Sequence, residues 1–124
     1  MEAASLGASS VPNGKAIGYT CQNFPSSKGN KYLTETVVCR DIFDRLRELT
    51  SNTNVFVIQR GSVGTLTELF LVMDKLRRER PEDGKIIMIG SFWKEMMESL
   101  SPLFGDEFKY VTIVDGFEEF KSLF

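Results

Sequence analysis

The chain reads as an α/β domain on a doubly wound parallel sheet, and three observations carry that expectation. Short apolar runs of strand character alternate with segments whose apolar residues recur at three- and four-residue spacings, the pattern of strand–helix–strand crossovers. The run Val55-Phe56-Val57-Ile58 is apolar at every position, as expected when helices cover both faces of a sheet. It empties into a glycine-punctuated turn that opens an amphipathic helix, and ligands of such folds gather beyond the C-terminal ends of the strands. At 124 residues, one sheet and one core are expected.

Taken in order, residues 1–8 are rich in small residues and lack a leading cap, reading as the remaining turns of a helix whose beginning is missing. Val11-Pro12-Asn13-Gly14 breaks it, and residues 15–20 form a short strand. Residues 22–30 are a polar loop with Pro25 and Gly29, a linker or a lid. The β-branched run at 34–38 is the next strand. From 40 to 50 the pattern turns helical, with Ile42, Phe43, Leu46 and Leu49 on one stripe. Ser51-Asn52-Thr53-Asn54 punctuates before the strand at 55–58.

Beyond the turn, Leu66, Leu69, Phe70, Met73 and Leu76 make a long helical stripe that ends in the basic run at 77–80 before Pro81. That end complements the helix dipole and reads as a solvated C-terminus. Residues 85–89 are a buried strand, 91–100 a helix opening with Phe92 and Trp93, and 101–109 a loop through Pro102 and Gly105. A last strand at 110–114, an Asp115-Gly116 turn and a closing helix at 117–124 complete the chain.

Composition excludes several function classes. Acidic residues (17) barely outnumber basic ones (15), so no global field recruits nucleic acid or an anionic membrane, and any anion site is local. No stretch approaches the roughly 20 apolar residues of a membrane span, and no basic-then-apolar leader opens the chain, which makes the cytoplasm the expected compartment. Histidine is absent, removing Ser-His-Asp and Cys-His constellations and every His-containing metal site. Cys21 and Cys39 match neither a disulfide framework nor a metal spacing and read as reduced packing residues. No metal or other cofactor is expected.

The turn at 61–65 has the architecture of a phosphate cradle. A helix start leaves backbone N–H groups without intrahelical partners and carries partial positive charge, and glycine lets an anion approach. The candidates are Gly61, Ser62, Gly64 and Thr65, with Glu68 following. A structural reading competes: Thr65-Leu66-Thr67-Glu68 fits a capping box, with Thr65 as N-cap and Glu68 reaching back to it. The turn is neither a Walker A loop nor a dinucleotide fingerprint. Upstream, Arg45 sits at the border of the 40–50 stripe. Its stem can lie on the core while its guanidinium reaches a cleft, or it can pair as a solvated flank residue with Asp41 or Asp44.

The cradle resembles the Pro-Gly-Gly-x-Gly-Thr-x-x-Glu signature of the LONELY GUY (LOG) family, long labelled lysine decarboxylases and similar to cytokinin riboside 5′-monophosphate phosphoribohydrolases. Gly61, Gly64, Thr65 and Glu68 match it in place, while Arg60 and Ser62 replace the Pro and the second Gly. Asp44-Arg45-Leu46-Arg47-Glu48-Leu49 stands where the family has Arg-Lys-x-x-Met, so Arg45 matches the family arginine. Gly14-Lys15-Ala16-Ile17-Gly18, Tyr32-Leu33-Thr34-Glu35-Thr36 and Ile89-Gly90-Ser91-Phe92-Trp93 also look like LOG segments. Met1-Glu2-Ala3-Ala4 looks like the tail of an earlier family segment.

The resemblance implies a Rossmann-like doubly wound fold, N-terminally truncated: one LOG-like domain over 1–124 that lacks the family's first strands. It implies hydrolysis of the N-glycosidic bond of a nucleoside 5′-monophosphate to free base and ribose 5-phosphate. Glu68 and Arg45 would then be catalytic, and Gly61, Ser62, Gly64 and Thr65 would bind phosphate. A homodimer is implied, with no nucleic-acid or membrane partner. The substitutions at Arg60 and Ser62 keep open a non-hydrolytic nucleotide-binding module or an inactive truncated homologue.

Overall fold

The structure, a computed structural model, describes residues 1–23 and 29–124. Pro25 of the linker-or-lid loop lies outside the described residues. The fold is α/β with parallel strands flanked by helices, as expected, but its strands form two sheets, one in each of two compact units, Met1–Asn52 and Thr53–Phe124.

The first unit comprises α1 (Glu2–Ser9), β1 (Ile17–Cys21), β2 (Glu35–Cys39) and α2 (Ile42–Ser51). β1 and β2 run parallel in a register that opposes Ile17 to Glu35 and Cys21 to Cys39. Asp41 caps α2, its Oδ1 accepting from the Asp44 N–H at 2.8 Å. α2 packs on both strands. Its predicted stripe is only partly realised. Leu46 and Leu49 are half-buried, but Phe43 is 74% exposed. Two strands offer too narrow a surface within this unit to cover a three-turn stripe. Among the described residues of this unit, those buried are Ser5, Thr20, Thr50 and the two free thiols, Cys21 and Cys39.

The second unit holds β3 (Val55–Ile58), α3 (Val63–Glu79), β4 (Lys85–Ile89), α4 (Phe92–Leu100), β5 (Val111–Val114) and α5 (Phe117–Lys121). Its sheet is parallel in the order β3-β4-β5, with Val55 opposite Lys85 and Ile86 opposite Val111. The predicted loop at 101–109 contains two 3₁₀ turns, Ser101–Leu103 and Asp106–Tyr110. Pro102 suits the first, because the opening of a helical turn needs no N–H there.

One core fills this unit. Leu69, Val72, Met73 and Leu76 of α3 meet Ile58, Ile86 and Met88 of the sheet and Trp93 and Met97 of α4. Trp93 is 1% exposed and its Nε1 finds no acceptor among the described residues, a cost of about 1–3 kcal/mol that burial of the ring offsets. α3 stops where Arg80 takes the left-handed conformation (φ 49°) and donates its N–H to the Leu76 carbonyl at 2.9 Å, just before Pro81. The basic end is solvated as expected, with Arg77 and Arg78 paired to Asp74 at 2.8 and 2.7 Å.

β4, rather than β3, is the strand covered on both faces. Ile86 and Met88 meet α3, Ile87 lies on the opposite face, and α5 packs on β4 and β5. β3 buries Ile58 against α3, but Val55 and Val57 are 37% and 45% exposed, since α5 does not reach that far within this unit. The expectation that helices cover both of its faces is corrected accordingly. No helix among the described residues is long and apolar enough to cross a membrane.

Truncating the fully buried Leu69 to Ala is expected to destabilise the protein by about 3 kcal/mol, read as a lower midpoint in urea unfolding. Burial, helped by Asp44 and Glu48, pushes the Cys39 thiol above its ordinary value and lowers its thiolate fraction. Ellman's reagent at pH 8 should therefore react with Cys39 far more slowly in the native protein than after denaturation.

Candidate functional site

The C-terminal ends of β3, β4 and β5 each lead toward a helix, so three helix starts gather at one edge of this sheet. No side chain caps any of the three. At α5 the Asp115 N–H donates to Glu119 Oε2 at 2.8 Å, and the Asp115 carboxylate holds Lys94 at 2.7 Å, which keeps the Lys94 ammonium above its usual range. At α4 the Trp93 and Lys94 amides donate to Gly90 and Ser91 carbonyls at 3.1 and 3.0 Å.

The start of α3 carries a glycine within its first turn. Ser62 is its N-cap with extended backbone (φ −112°, ψ −156°), and no side chain caps the helix. The first intrahelical bond runs from the Leu66 N–H to the Ser62 carbonyl at 3.1 Å, which places the Val63, Gly64 and Thr65 amides ahead of it. The capping-box reading of Thr65 and Glu68 does not hold. Thr65 is the third residue of the helix, so Glu68 lies nearly a turn beyond the reach of the cap.

Two glycines fit the cradle for different reasons. A Cβ on Gly61 would collide with the Thr65 hydroxyl, which folds back over the turn. A Cβ on Gly64 would meet nothing within 4 Å, and Gly64 has no positive φ. Packing and backbone conformation give no reason for glycine there, although it disfavours helix. Open approach to the amides is what it provides.

Thr65 and Glu68 stand three residues apart, on neighbouring positions of one helix face, and both are half-buried. Glu68 is outside the hydrocarbon core, which takes the adjacent Leu69. Arg60, exposed at the end of β3, lays its guanidinium over the Phe92 ring, Cζ 5.4 Å from the centroid. Gly61, Ser62, Gly64, Thr65 and Glu68 therefore come together in one turn and its helix. The sequence marks Arg60 as a departure from the motif that either strengthens an anion site or pairs with a neighbour at a strand end, and it does not single out Phe92, for which the aromatic pair opening the 91–100 helix is the one signal.

Arg45 belongs to the first unit. It does not follow the flank-residue reading, because Asp41 caps α2 and Asp44 is taken by Arg40 at 3.2 Å and Arg47 at 3.1 Å. The Arg40 hydrogen bonds hold the Asp44 carboxyl below the usual carboxylate range. Arg45 instead lies half-buried across β1, its Nε donating to the Tyr19 carbonyl at 2.9 Å.

Residues 1–113 match the model of a protein family described as possible lysine decarboxylase. The chain belongs to this family. These are the LOG-like proteins that the turn and the Arg45 helix resemble in sequence. A search of curated proteins found no match. Among the described residues of this LOG-like protein, no group of three or more Cys, Asp or Glu is placed to hold a metal ion. A cavity of about 270 Å³ lined by Lys85, Ile87, Lys109, Tyr110 and Phe124 lies at the opposite end of the strands, away from the cradle.

With a free Cβ position and no positive φ, Gly64→Ala should raise stability by about 0.5 kcal/mol, visible as a small increase in Tm. A decrease would show that the glycine serves the fold.

Proposed function

We propose that this LOG-like protein is a nucleoside 5′-monophosphate phosphoribohydrolase that releases free base and ribose 5-phosphate. The observation that carries this reading is an uncapped helix start beside an unobstructed glycine, with a half-buried carboxylate one turn further along the same helix. The amides of Gly64 and its neighbours and the Thr65 hydroxyl hold the phosphate, Gly61 gives Thr65 the room to do so, and the Ser62 hydroxyl, not used to cap the helix, adds a donor.

Cleavage of an N-glycosidic bond proceeds through an oxocarbenium-like sugar, so a carboxylate near the ribose stabilises the charge that develops and orients the attacking water. Glu68 is assigned that part. Arg45, by its match to the family arginine alone, is assigned to anchoring substrate or stabilising the departing base. A homodimer in the cytoplasm belongs to the same reading, and large apolar side chains exposed in each unit, Phe43 in the first and Val63 and Leu103 in the second, support a partner. So does the view of residues 1–124 as one LOG-like domain, which the family match over 1–113 supports.

Replacing the signature's second glycine with Ser62 favours a second reading, a module that binds nucleotide without hydrolysis, because a side chain now stands where backbone approaches phosphate. Base release from nucleoside 5′-monophosphates, followed by chromatography, separates the two. Glu68→Gln should lower turnover at least 100-fold while AMP affinity stays within about threefold. Binding without release of base by the unsubstituted protein selects the second reading, and unchanged turnover in the variant removes Glu68 from the mechanism.

A further inference from the structure

Arg60 is the feature that the proposed reaction leaves unused. Strand register sets Ile58 beside Met88, so residues 59 and 60 continue next to Ile89 and Gly90. Gly90 has φ +122°, and a Cβ there would lie 3.2 Å from the Phe92 ring. The missing side chain lets Phe92 fold back over the end of β4, where it is 41% exposed and packs on Trp93 with centroids 4.4 Å apart. Arg60 rests on this ring.

An exposed arginine costs conformational entropy to hold in one place, and an aromatic face supplies about 0.5–1 kcal/mol toward that cost. A cation–π contact with Cζ 5.4 Å from the ring centroid does not itself consume the guanidinium's N–H fork, the edge that grips a phosphate in two parallel hydrogen bonds. On the same edge of the sheet, Asp115 holds Lys94, and Glu119 takes the Asp115 amide. The arginine immediately precedes Gly61, on the β4 side of the uncapped turn.

We propose that Arg60, positioned by Phe92, is a phosphate-anchoring residue that makes this cradle selective for the dianion of a terminal phosphomonoester. The inference rests on the phosphoribohydrolase or nucleotide-binding reading above and adds to it a group that the family signature lacks. It also accounts for tolerance of Ser62: a fixed cation supplies attraction where the closest backbone approach is given up. Phe92 acts through Arg60 and is a positioning residue.

Calorimetric titration with AMP at pH 8 and pH 5.5, on either side of the second phosphate ionisation near pH 6, tests the assignment. The unsubstituted protein should bind AMP more tightly at pH 8. Arg60→Ala should weaken AMP binding at pH 8 by about tenfold or more and lose most of the preference for pH 8. Arg60→Lys, which keeps the charge without the fork, should fall between. Phe92→Leu should weaken binding by about threefold while keeping the pH preference. Wild-type affinity and pH dependence in Arg60→Ala, or tighter binding, would overturn the role of Arg60 and leave the nucleotide reading standing. Should Arg60→Ala fail to fold, wild-type behaviour of Arg60→Lys overturns it equally. Absence of AMP binding by the unsubstituted protein at both pH values overturns the nucleotide reading, and this inference with it.

Discussion

Burial of one stripe of α3 against β3 and β4 is the constraint on which the candidate site depends. Leu69, Val72, Met73 and Leu76 are each at most 2% exposed, and burying such side chains contributes on the order of 2 kcal/mol apiece. No polar contact in the unit approaches that sum. The stripe sets the rotation of the helix about its own axis, and its length sets where the helix begins. Once the stripe is seated, Thr65 falls toward the sheet side, Glu68 falls on the border, and the first three amides project past the end of β3. The cradle is a by-product of hydrophobic packing further along the same helix.

Electrostatics then add to this helix start. Local carbonyls take the second and third amides of α4, and the ion pair of Lys94 with Asp115 neutralises the β5 end of the sheet. The α3 opening keeps its partial positive charge, with Arg60 adding a full one beside it. In a chain whose formal net charge is −2, that is a local reversal of sign.

The first unit is organised by different forces. Its two strands bury little hydrocarbon, and its order comes from parallel pairing, the Asp41 cap and a charge cluster around Asp44. Arg45 is held by the backbone of β1, since the neighbouring acids are engaged by the cap and by Arg40 and Arg47. An arginine fixed through Nε to a carbonyl keeps its terminal nitrogens oriented, which suits an anchoring group better than a mobile flank residue does.

The sequence by itself determined the element order, the parallel class, the covered character of β4 and the family, because these follow from periodicity, from turn residues and from motifs a few residues long. It located the turn at 61–65 and singled out Gly64, Thr65 and Glu68. The tertiary structure decided what pairing and rotation control. Whether Thr65 opens the helix or lies inside it depended on where packing began α3, and two overlapping local patterns gave no way to choose. Phe43 lost its core and β3 kept one open face because coverage depends on the width of the neighbouring layer, a long-range quantity. Arg60 and Phe92, far apart in sequence, meet only because β3 and β4 are adjacent in register, and no spacing along the chain encodes that contact.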